Sequence, residues 1–99
     1  MNITAQEARE IMDAEEGYII LDVRTQAEYD EKHIPGAILI PDYEIKERAE
    51  EELTDKDQLI LVYCRSGRRS KLAAEALVEL GYTNIKELGG IIDWPYEWE

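Results

Sequence analysis

The chain's single cysteine, Cys64, heads the run CRSGRRS, where an apolar stretch ends and a helical pattern begins. A cysteine reacts as its thiolate, so the question is what surrounds the sulfur. Arg65, Arg68, Arg69 and Lys71 follow within seven positions, four of the chain's 11 basic residues. Gly67 lies among them and permits a bend in which several backbone N–H groups face one centre, a concave nest that attracts an anion. A sulfur held in that nest, at a helix start and beside guanidinium groups, is favoured as a nucleophilic thiolate. The same donors suit a small anionic substrate. The competing role for Cys64 is apolar packing, because free cysteines are among the most buried residue types. Three arginines around a neutral buried thiol would then have no anion to meet.

Positioning such a loop requires a strand before it and a helix after it. QLILVY (58–63) is the most apolar run of the chain and reads as a buried strand ending at the cysteine. From Arg69 to Leu80, the residues Leu72, Ala73, Ala76, Leu77 and Leu80 form one helical stripe that Gly81 terminates. YIILDV (18–23) and AILI (37–40) read as further buried strands, and NIKEL (84–88) as a weaker one followed by a GG turn. Thr4 with Glu7 and Thr25 with Glu28 are capping boxes opening two helices, and Asp42 is placed to cap a third with Ile45, Ala49 and Leu53 on one face. Pro35 and Gly36 stop the second helix, and Pro95 keeps the terminal IIDWPYEWE short. Strands alternating with helices predict an α/β domain with a central parallel sheet and helices on both faces. In such a sheet ligands bind at the carboxyl ends of the strands, which is where Cys64 falls.

The 99 residues, 44% hydrophobic, suffice for one domain spanning 1–99. Formal net charge is −12, which argues against nucleic acid and anionic membrane as partners. The charge is segregated: no Asp or Glu occurs between Asp57 and Glu75, so the four clustered cations leave −16 to the rest. No apolar run approaches a membrane span and the N-terminus is neither basic nor greasy, so the expected compartment is the cytoplasm, where a free thiol stays reduced.

Three stretches, LDVRTQAEYDEKHIPGAILIP (21–41), LVYCRSGRRS (61–70) and LGGIIDW (88–94), in this order and spacing, resemble the single-domain rhodaneses over nearly the whole chain. The resemblance implies a rhodanese-like three-layer domain. It also implies a cysteine that takes a sulfane sulfur from a donor, holds it as a persulfide and passes it to a thiophilic acceptor. Cys64 matches the sulfur-carrying position, and Arg65, Ser66, Gly67, Arg68 and Arg69 match the surrounding loop that binds substrate. Asp22 and Arg24 match a pair that ties loops near the site. His33 falls in the structural turn HIPGA and is not assigned to catalysis, and Trp94 is expected to pack. Lys32 stands where the family commonly has glycine.

Related phosphatase loops place an arginine six positions after the cysteine, and here that position is Ser70, leaving a smaller cradle better suited to a terminal sulfur than to a phosphate. The implied partners are a small anionic donor such as thiosulfate, a polysulfide or a persulfide, and a thiol or cyanide acceptor. Two alternatives are a persulfide carrier or interaction module loaded by another protein, and a phosphatase or arsenate-reductase type of loop. No cofactor or metal is expected: the only Cys and only His are 31 residues apart, and no dinucleotide or Walker glycine pattern occurs.

Overall fold

Two capping boxes launch the first helices. Thr4 accepts the Glu7 N–H and Glu7 accepts the Thr4 N–H at the start of α1 (Ala5–Ala14), and Thr25 with Glu28 repeats the device at α2 (Gln26–Glu31). The computed structural model describes residues 2–92 and 94–99, so Asp93 of the LGGIIDW motif lies outside the described residues.

Four strands, β1 (Ile19–Asp22), β2 (Ile38–Leu39), β3 (Ile60–Cys64) and β4 (Ile85–Gly90), form one sheet in the order β2-β1-β3-β4. All three pairings are parallel, so all four carboxyl ends lie along one edge. Residues alternate between faces with period two. Ile60, Val62 and Cys64 join a core with Leu21, Ala49 and Leu77, under α3 (Ile45–Glu52) and α4 (Arg68–Glu79). Leu61 and Tyr63 join the opposite core with Ala8, Ile34 and Trp94, under α1 and α2. The expected α/β architecture with helices on both faces is the one observed.

Local departures have local causes. The Asp42 cap of the third helix is not formed. Asp42 donates its N–H to the Val23 carbonyl at 3.0 Å, and Glu44 donates to Pro41 at 2.8 Å, closing a tight 3-10 turn (Asp42–Glu44) before α3 begins. The expected GG turn is also absent: Gly89 and Gly90 end β4 opposite Tyr63 and Cys64, after a register shift between Val62 and Tyr63. On α4 the inward stripe is Ser70, Ala73, Ala74 and Leu77, and Leu72 is 52% exposed. Ser70, whose hydroxyl donates to the Gly67 carbonyl at 3.0 Å, shares this inward face with Ala73, Ala74 and Leu77, and Leu72 lies off it.

Candidate active site

Cys64 ends the central strand β3, and its side chain points toward α4 and is fully buried. The chain then bends through Arg65 and Ser66 to Gly67, whose φ of 99° lies in the left-handed region. A side chain there would strain the backbone; glycine turns freely and aims its N–H at the sulfur, 2.9 Å from Cys64 Sγ. That hydrogen bond is the first contact that supports a sulfur anion. The other polar neighbour is Ser70, whose hydroxyl donates to the Gly67 carbonyl at 3.0 Å and accepts from the Cys64 thiol at 3.5 Å; a hydroxyl proton rotates, so the same group can turn to donate once the sulfur is ionised.

The loop cations divide into two kinds. Arg69 places Nη1 and Nη2 at 2.7 and 3.0 Å from the two Glu28 oxygens, a bidentate pair across 41 residues of sequence. The Arg69 hydrogen bonds hold the Glu28 carboxyl down to about 2, against partial burial that works the other way, with the Thr25 amide and hydroxyl assisting. Glu28 in turn strengthens the Arg69 charge. Arg65 and Arg68 are exposed.

Asp22 and Arg24 lie on the other side of the sheet from the sulfur. Their ion pair is closed at 2.7 Å and both side chains are buried. Arg24 also donates to the Lys32 carbonyl at 2.7 Å, tying the β1 end to the end of α2. Tyr63, next to the cysteine, donates its hydroxyl to Asp22 at 2.8 Å and accepts the Ile34 N–H at 3.2 Å. Burial, and then the Asp22 charge, hold the Tyr63 phenol above its ordinary range, so it remains a donor. Burial opposes the Arg24 charge, and the Asp22 bonds more than restore it. His33 stacks on Tyr29 at 3.8 Å between ring centroids and pairs with Glu99, a structural placement away from the sulfur.

Gly90 backs the loop. A Cβ at this position would come within 2.8 Å of the Arg65 carbonyl oxygen and of Ser66 backbone atoms. The next residue, Ile91, donates its N–H to the carbonyls of Cys64 at 3.1 Å and Arg65 at 3.0 Å, so the end of β4 clamps the loop from behind. Beside the loop opens a cavity of about 280 Å³ whose walls include Arg65, Lys32, Ile91 and Trp98. Of the residues that shape the site, sequence reasoning missed Glu28, Tyr63 and Gly90, and used Ser70 only as a missing arginine. Glu28 was legible as a cap alone.

Among the described residues no helix is long and apolar enough to cross a membrane. The family model for the rhodanese-like domain matches residues 4–96. The chain is 44% identical over 73 residues to the thiosulfate sulfurtransferase PspE of Escherichia coli strain K12, covering 74% of this chain and 70% of that protein. It is 38% identical to a putative sulfur carrier protein, YrkF, of Bacillus subtilis strain 168, covering 93% of this chain and about half (49%) of the relative. Among solved structures, a rhodanese with anions from Escherichia coli superposes with a TM-score of 0.77 at 39% identity, over 83% of this chain and 96% of that one. A rhodanese-like domain from Anabaena superposes over 99% of this chain and 77% of that one, with a TM-score of 0.91 at 28% identity. With the cysteine loop at the carboxyl end of a parallel sheet and the family match over almost its full length, the chain belongs to the rhodanese-like family of sulfurtransferases.

Proposed function

We propose that the protein is a sulfurtransferase that carries sulfane sulfur on Cys64, from thiosulfate or a persulfide donor to a thiol or cyanide. The observation that carries this reading is the Gly67 N–H aimed at Sγ from 2.9 Å, in a loop whose curvature depends on glycine. In the loading step, the Cys64 thiolate attacks the outer sulfur of thiosulfate. The S–S bond of the donor breaks, sulfite departs with the electron pair, and Cys64 is left as a persulfide. In the second step the acceptor attacks the terminal sulfur and Cys64 leaves as thiolate. No net proton is needed once the thiolate exists, which suits a loop rich in hydrogen-bond donors and lacking a general base.

Forming the persulfide places the transferable sulfur about 2 Å beyond the buried Sγ. Arg65 and Arg68, with Ser66 and the Gly67 amide, are the groups proposed to meet an incoming anion. Arg69 acts through Glu28, holding the first turn of α4 against α2. Asp22 and Arg24 hold the scaffold under the loop. A reducing compartment such as the cytoplasm suits a carrier built on one free cysteine.

Cys64→Ser is expected to abolish thiosulfate-to-cyanide sulfur transfer, because a serine hydroxyl stays protonated and cannot hold sulfane sulfur. Thiocyanate production is the readout and the far-ultraviolet circular dichroism of the variant is the fold control. Activity persisting in a folded variant would refute the assignment.

A further inference from the structure

One wall of the cavity beside the Cys64 loop is made by residues that the sulfurtransferase reading leaves without a duty. Past Trp94 the chain lies along the residues that follow α2. His33 donates its N–H to the Glu99 carbonyl at 3.0 Å and accepts the Glu99 N–H at 2.8 Å, and His33 Nε2 lies 3.2 Å from Glu99 Oε1. The His33 ring is itself held, stacked on Tyr29 with Nδ1 donating to the Tyr29 carbonyl at 2.8 Å. The segment so tied carries Trp98, half-buried against the α1/α2 core and part of the cavity wall. Lys32 sets its Nζ 4.6 Å from the centre of the Trp98 ring, a cation–π contact that restrains the indole further.

The cavity adjoins both ends of the loop. Arg65, the residue after Cys64, lines it directly, and Glu28 lines it while gripping Arg69. Its charges do not select a ligand by sign. Arg24 is paired with Asp22 and Glu28 with Arg69, which leaves the wall two cations, Arg65 and Lys32, and one carboxylate, Glu31. Discrimination therefore falls to the apolar side chains of Ile91, Ile92 and Trp98, since burying apolar surface is favourable in proportion to its area. At about 280 Å³ the cavity holds the carbon body of a small organic molecule and far more than cyanide fills. We propose that it seats an organic thiol acceptor with an apolar substituent, and that Trp98 is a specificity-determining residue separating such thiols from cyanide. The inference rests on the sulfurtransferase reading above. The thiolate of the seated acceptor attacks the outer sulfur of the Cys64 persulfide. The persulfide S–S bond breaks, Cys64 departs as thiolate and the acceptor leaves as an organic persulfide. Cyanide attacks the same sulfur and leaves as thiocyanate, with no carbon body to lay against the wall.

The protein, loaded with thiosulfate and freed of excess donor, is discharged with cyanide, with 2-mercaptoethanol or with benzyl mercaptan, the two thiols being uncharged and differing in apolar bulk. Loss of the added sulfur is followed by intact mass, and each thiol's rate is divided by its own rate against a small disulfide to remove differences in reactivity. Benzyl mercaptan is expected to react about tenfold faster than 2-mercaptoethanol on this scale, the discrimination an apolar pocket supplies. In Trp98→Ala that advantage, and the benzyl mercaptan rate relative to cyanide, are expected to fall severalfold, and Trp98→Phe, which keeps an aromatic wall, is expected to restore most of both. Ile92→Ser, at an exposed position of the same wall, is expected to lower the same ratios. Equal scaled rates for the two thiols would overturn the specificity proposal while leaving the carrier chemistry standing. Ratios unmoved in Trp98→Ala, or in Ile92→Ser where the first variant does not fold, would do the same. Failure of Cys64 to load at all would remove the functional reading, and this proposal with it.

Discussion

The two faces of β3 treat neighbouring residues in opposite ways. Tyr63 sits in a closed polar network, with Asp22, Arg24 and the backbone of Ile34 and Lys32 saturating one another across the α1/α2 side of the sheet. Cys64, one residue on, meets one backbone N–H and one shared hydroxyl. Saturated polar groups have no capacity left for a substrate, and their low-dielectric burial makes them rigid. The sulfur is held in place by packing and backbone shape while its bonding capacity stays open. A pleated strand thus separates scaffold from chemistry by one residue.

That contrast breaks most visibly at Asp22. Asp22→Asn removes the charge that compensates buried Arg24, and losing one partner of a buried pair costs about 3–5 kcal/mol. Urea denaturation is expected to show that loss, with activity following the folded fraction. A small stability change would mean that the network is decoration.

Gly90→Ala tests the other face. Its new Cβ must displace the Arg65 carbonyl oxygen and Ser66 backbone atoms now 2.8 Å away, an overpacking cost of about 1–3 kcal/mol that falls on the loop. Persulfide formation is expected to slow in protein that remains folded, the reverse of the Asp22 outcome. Normal loading by the folded variant would contradict the role of β4 as the back wall.

Much of this arrangement is legible in local sequence. Both capping boxes form as read, because a cap is a contact between residues three apart. The apolar run before Cys64 becomes the central strand, and Trp94 is buried. The ties that define the site are not local. Tyr63 with Asp22 and Arg69 with Glu28 each span 41 residues, and no periodicity encodes a partner at that distance. Leu72 falls outside the buried stripe because helical spacing defines a stripe without fixing its rotation, and the face that packs here is Ser70, Ala73, Ala74 and Leu77. The GG pair reads as a turn until the register shift against β3 is known.

Glu28→Gln is the gentlest probe, acting at the seam between the two faces. With Arg69 holding the carboxyl at about 2 in the folded protein against its usual 4.5, the ionised form stabilises the fold above pH 4.5. That contribution is lost as pH falls from 4.5 toward 2. The variant is expected to be slightly less stable at neutral pH and to lose less stability on acidification through this window. Parallel curves for the two proteins would show that the pair contributes nothing.

The account turns on sulfur residing at Cys64, and intact mass spectrometry after incubation with thiosulfate measures it directly. The expected result is one added sulfur atom, mapped to Cys64, removed by cyanide or dithiothreitol and absent from Cys64→Ser. A folded protein whose mass is unchanged by thiosulfate and by a persulfide donor alike would contradict it.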